Sequence, residues 1–163
     1  MKTALRVLAL ALSGTSALSA QSQHPPTRFD STAVIAVTLR AGARDLFSRG
    51  RPRLVSDRIG SGSRTDSPAF LAKPAAEIGA RLVHHSDVVK CTEPTSNGCV
   101  LVGNTEVLYL NEIIFHGDTA NVEVALLTAS KDPHKITMRS RHYLLMRRAG
   151  TWSVTGTKGA TFS

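Results

Sequence analysis

The sequence predicts an α+β fold: a four-stranded antiparallel meander in the C-terminal half, with two N-terminal helices packed on one face. Two observations carry this. From residue 105 onward, β-rich runs at 105–116, 119–129, 135–148 and 151–157 are divided by Gly117-Asp118, by residues 130–134 and by Ala149-Gly150, the short turns of consecutive hairpins. Before residue 83, two segments repeat apolar residues at helical spacing between N-terminal caps and Gly or Pro stops.

The first segment reads as an address rather than structure. Lys2 and Arg6 precede and enter a short apolar run over 5–12, and small residues continue to Ala20. This is the layout of a secretory signal peptide, and the apolar run falls short of the ~18–20 residues that span a bilayer. Cleavage is placed after Ala20, with Ser19 and Ala17 as alternatives. The absence of a Cys near this zone argues against a lipoprotein signal. The chain therefore divides into a signal peptide (1–20), a flexible leader with Pro25-Pro26 (21–29) and a single domain (30–163). The expected location is exported, periplasmic or secreted, and not membrane-spanning after signal removal.

The remaining elements follow in order. Asp30 or Ser31 caps a helix over 31–48, with Val34, Ile35, Val37 or Thr38, Leu39, Ala41, Asp45 and Leu46 along its inward stripe and Arg40 and Arg44 on the polar side. Gly50 and Pro52 end it. Residues 53–58 suit a short strand, and the Gly- and Ser-rich stretch 60–67 a loop. Ser67 and Pro68 open a second helix carrying Phe70, Leu71, Ala75, Ile78 and Leu82, which Pro74 either kinks or confines to 74–81. A further short strand is expected at 82–84. In the meander, Ala120, Val122, Val124 and Leu126 alternate with polar residues, while Ile136, Met138, Leu144 and Met146 share one parity. A buried layer containing Val122, Val124, Ile136 and Trp152 is the expectation.

The chain has 163 residues, 42% hydrophobic and 20% charged, with 20 Lys+Arg against 12 Asp+Glu and a net charge of +8. That composition suits one globular domain and excludes disorder along its whole length. Cys91 and Cys99 flank a turn-rich TEPTSNG segment, so an exported chain should join them as a disulfide. A redox role would favour closer spacing, and zinc would need more ligands. Six histidines show no metal-ligand pattern. His84 and His85 are neighbours that an extended segment would point to opposite faces. No G-x-S-x-G elbow or phosphate loop occurs. Glu112 and Glu123 should approach across the first hairpin, with Arg139 and Arg141 on the next strand as the simpler partners of Glu123. Arginines cluster at 40, 44, 49, 51, 53, 58 and 64, and again at 139, 141, 147 and 148. A single basic face would attract polyanions, but the sparse aromatics (5%) offer little for stacking bases.

Gly117, Asp118, Thr119 and Ala120, followed by Tyr143, Arg147, Gly150, Trp152 and Val154, resemble the closing sheet of small exported bacterial α+β proteins. The same ending is similar to that of NTF2-like (cystatin-like) domains. The resemblance covers about a third of the chain and rests on turn and core residues. It implies a helix packed into a curved sheet and specifies no activity. The N-terminal half departs from the family's usual two helices before the first strand. The acidic and histidine residues of its catalytic members have no counterparts here, so no catalytic, cofactor or metal residue is carried over. The expectation is a non-catalytic exported binding or interaction module, with an anionic envelope component or a small apolar ligand as partner and no nucleic acid. The alternative is a small NTF2-like hydrolase or isomerase acting on a small molecule.

Overall fold

The computed structural model describes residues 28–60, 69–91, 98–130, 132 and 135–162. The expected signal peptide and nearly all of the expected leader lie outside the described residues, as do Arg64 and His134. Helix α1 (Arg28–Leu46) is followed by β1 (Arg53–Ile59), α2 (Ala69–Glu77), β2 (Arg81–Val83), the one-turn α3 (His85–Val88), a small hairpin of β3 (Val89–Cys91) and β4 (Cys99–Leu101), and then β5 (Glu106–His116), β6 (Thr119–Ala129), β7 (Ile136–Arg148) and β8 (Thr151–Phe162).

The meander β5–β8 forms as expected, but it is part of a larger sheet. Six strands lie in the order β2-β1-β5-β6-β7-β8, with β1 parallel to both β2 and β5. The expectation of a four-stranded sheet is therefore corrected to a six-stranded mixed one. Short β1 and β2 carry too little apolar alternation to reveal their partners. Parallel pairing also depends on a crossover through α2, which no local pattern encodes. The β7–β8 turn is set locally: Ala149 (φ 48°) and Gly150 (φ 78°) both take positive φ, as a two-residue type I′ hairpin requires.

Helices α1 and α2 pack on the same face of this sheet. Val34, Ile35, Leu39 and Leu46 of α1 and Leu71 and Ala75 of α2 share one core with Leu108, Leu110, Val122, Val124, Leu126, Tyr143, Leu145 and Trp152. Each large side chain buried this way contributes about 1.5–3 kcal/mol. Gly42 lets α1 sit close to β6: a Cβ there would lie 3.0 Å from Val124 Cγ1.

Ile136 does not join that layer. It packs on the other face with Leu54, Val88, Val107, Leu127, Leu101 and Met138, beneath the β3–β4 hairpin. The parity of β7 is the reverse of the hydrophobic reading. Leu126, Val124, Val122 and Ala120 stand opposite Arg139, Arg141, Tyr143 and Leu145, and directly opposed residues share a face. The strand thus turns Arg139, Arg141 and Arg147 toward α1. Its more apolar parity (Ile136, Met138, Leu144, Met146) lies on the far side.

Candidate functional site

Three clusters of ionisable residues stand out. The first forms where the short parallel strand β2 ends beside Ser56 of β1, which itself continues to Ile59. His84 Nδ1 meets Asp57 Oδ2 at 2.5 Å, and the other carboxylate oxygen accepts the His85 backbone N–H at 2.9 Å. His85 Nδ1 faces Ser56 Oγ at 3.1 Å. The two histidines are brought together because the backbone leaves the extended conformation at His85, where α3 begins. The ring of His85 meets that of Tyr109 edge-on, with centroids 6.3 Å apart. Burial pushes the His85 pKa below the ordinary imidazole value; Arg58 and His84 add to this, and Asp57 opposes it.

The residue types suggest a hydrolytic triad, but the connections do not. A triad histidine places one ring nitrogen on the serine and the other on the carboxylate. Here Asp57 holds the His85 backbone and the His84 ring. Ser56 is buried at 1% exposure, and its Oγ also accepts the Arg58 backbone N–H at 3.1 Å. The network ties the β1 end to the α2–β2 arm.

The second cluster lies on the far face. Glu112 and Glu123 are register partners at a bulge in β5, so the expected approach across the hairpin is met. The expected pairing of Glu123 with Arg139 and Arg141 is not. Glu123 accepts Asn111 Nδ2 at 2.6 Å and lies 3.8 Å from His142 Nε2, while both arginines face the opposite side. His116 is exposed at the end of β5. Among the described residues no group of three His, Cys, Asp or Glu could hold a metal ion.

The third cluster joins α1 to the sheet at both ends. At the N-terminal end, Asp30 Oδ1 accepts Arg147 Nη1 at 2.7 Å and Trp152 Nε1 at 3.0 Å. Asp118 also engages Arg147, from the exposed β5–β6 turn at 2.8 Å. At the C-terminal end, Asp45 accepts Arg44 Nε at 2.9 Å and both Arg141 Nη1 and Tyr143 O–H at 3.1 Å. Desolvation raises the Asp45 pKa, but the bonds from Arg44, Tyr143 and Arg141 together outweigh it and hold the carboxyl below its usual range. Burial and the adjacent Asp45 carboxylate raise the Tyr143 pKa well above the phenol range.

The C-terminal end is also where the basic residues gather. Arg139 donates to the Leu46 carbonyl at 3.1 Å, and the Arg53 guanidinium stacks over Phe47 at 5.4 Å. Arg49 and Arg51 are exposed between them. The β7 arginines therefore divide. Arg139 and Arg141 join the N-terminal group, whereas Arg147 is neutralised by two aspartates at the other end of α1. Glu106 is fully buried here; its Oε2 accepts the Ser48 N–H at 2.7 Å, and its Oε1 has no donor among the described residues.

Cys91 and Cys99 form the expected disulfide, as register partners in the β3–β4 hairpin with Cα atoms 3.9 Å apart. No described helix is long and apolar enough to cross a membrane. Comparison with family models, with curated proteins and with solved structures found no match. The sequence reading made Asp30 a helix cap and set Asp45 on the inward stripe, with a partner for neither; α1 begins at Arg28, so Asp30 lies in its first turn instead of capping it. The signal for their role was the arginine repeat at 139, 141 and 147 on one parity of β7.

Proposed function

We propose that the chain is an exported, disulfide-stapled interaction module that works through its surface rather than through a buried reaction centre. The observation that carries this is the burial of the layer between helices and sheet, with its bordering polar groups already paired. Val34, Leu39, Leu108, Val122, Val124 and Leu126 are at 0% exposure, and the polar groups bordering them, Asp30, Asp45, Tyr143 and Trp152, are engaged with one another or with arginines. Catalytic and carrier proteins of small molecules keep an apolar cavity with converging polar groups. The disulfide supports an oxidising, exported compartment. The NTF2-like likeness of the closing sheet is in keeping with a long helix laid across it.

The test is titration of the folded protein with small apolar probes, followed by methyl NMR. The expected result is no saturable shift at Val34, Leu39 or Val124. Saturable uptake there would favour the alternative, a small NTF2-like hydrolase or isomerase. For export, N-terminal sequencing of protein recovered outside the cytoplasm should begin near residue 21.

A further inference from the structure

We infer that the C-terminal end of α1, with the 47–53 turn and the start of β7, is a binding surface for a linear anionic polysaccharide, one bearing carboxylate or sulfate groups along its length. The inference rests on the reading of the chain as a surface-acting module and names its partner.

Six arginines meet at this end: Arg44, Arg49, Arg51, Arg53, Arg139 and Arg141. The described carboxylates among them are Asp45, which Arg44 and Arg141 share, and the buried Glu106. The surplus is four positive charges. Among the described residues no carboxylate lies within ion-pair distance of Arg49, Arg51, Arg53 or Arg139. Arg40 continues the surface one helical turn back along α1, about 6 Å along the axis. Several of these guanidiniums are fixed in place. Arg139 is held by a backbone carbonyl, Arg141 by Asp45, and Arg53 by the face of Phe47. A held guanidinium loses less freedom on meeting an oxyanion than a free one, and its fork suits two-point contact with carboxylate or sulfate.

The charge is extended rather than focused into a pocket, which matches a chain of oxyanions better than a single small anion. A lipid surface would need apolar side chains to insert beside the charge. The exposed large hydrophobics among the described residues belong to the far face: Val102 follows β4 and bonds the Val88 carbonyl, and Ile114 stands opposite Asn121 near the β5–β6 turn. Single-stranded nucleic acid would need stacking platforms, and Phe47 is already covered by Arg53.

The experiment uses the folded, oxidised protein without its signal peptide and a size-defined heparin oligosaccharide, titrated from about 50 to 300 mM NaCl, a range over which charge-driven binding falls steeply. The variant Arg49→Ser/Arg51→Ser/Arg139→Ser is compared with Lys90→Ser/Arg148→Ser/Lys158→Ser, which removes equal charge elsewhere. Because Arg139 also holds the α1 end, Arg40→Ser/Arg49→Ser/Arg51→Ser serves as a second test that leaves it in place. The expected result is affinity for heparin that declines with salt, about tenfold weaker in both test variants and within about twofold of wild type in the control. Equal loss in test and control variants would overturn the inference, as would no binding at the lowest salt. Tighter binding to phosphatidylglycerol vesicles or duplex DNA than to heparin would overturn it too. None of these outcomes bears on the apolar-probe titration, which alone decides the module reading.

Discussion

One guanidinium, Arg147, contacts two carboxylates at nearly the same distance, and the structure predicts that they differ sharply in worth. Asp30 is nearly buried and also accepts the Trp152 indole N–H, itself 5% exposed. Asp118 sits on an exposed turn with 57% of its side chain in solvent. In Asp30→Ala the buried indole N–H loses its acceptor, which costs about 1–3 kcal/mol. The charge-assisted bond to a partly buried Arg147 is lost as well, and so is a carboxylate in the first turn of α1, where it favours the helix dipole. The sum is about 3 kcal/mol, roughly 10 °C in Tm for a domain of this size. Asp118→Ala removes a contact of similar length from water and should cost under about 1 kcal/mol. Asp30→Asn keeps an acceptor for Trp152 and should fall between the two. Urea unfolding of the oxidised protein measures all three. Equal losses for Asp30→Ala and Asp118→Ala would refute the reasoning, because burial would then not set the value of these contacts.

Val124→Asp should place an unpaired charge beside Gly42 and Leu108 in the helix-facing core and abolish folding or secretion; a variant that is secreted and melts normally would overturn the facing assigned to β6. Replacing Cys91 and Cys99 by Ser should lower stability by about 2–3 kcal/mol on the chain-entropy model, and intact mass of the wild type should fall about 2 Da below that of the reduced chain, consistent with a bridged pair. The His85 pKa is lowered in the folded state, so the unfolded chain takes up a proton first as pH falls. Stability should be full above an imidazole pKa of about 6.5 and decline as pH drops through the lower folded value. Urea midpoints from about pH 7 to 5 should show a smaller decline in His85→Asn, and identical pH profiles would show that His85 contributes nothing.

The local elements were legible because their signals are local. The hairpin turns at Gly117-Asp118 and Ala149-Gly150 placed β5–β8 within a residue or two at most ends, and the apolar periodicity over 31–48 placed α1, which starts earlier, at Arg28, and ends at Leu46. What stayed hidden was pairing at a distance. Residues 53–58 read as a strand, but its parallel pairing with β2 and β5 depends on the path of α2. The facing of β7 was concealed for a physical reason. Its apolar count favours Ile136, Met138, Leu144 and Met146, yet Asp30 and Asp45 of α1 pair with the partly buried Arg147 and Arg141 on the other parity. The sequence showed two arginine groups about ninety residues apart. Their convergence could not be read without knowing that β7 turns Arg139 and Arg141 toward the end of α1.

The most direct measurement is an amide chemical-shift map of the folded, oxidised protein titrated with the heparin oligosaccharide. The account predicts saturable shifts concentrated at residues 47–53 and at 139–141, shrinking as salt is raised, with the Ser56, His85 and Tyr109 amides unmoved. Shifts centred on Ser56, Asp57, His84 and His85, or spread evenly over every exposed Lys and Arg, would contradict it.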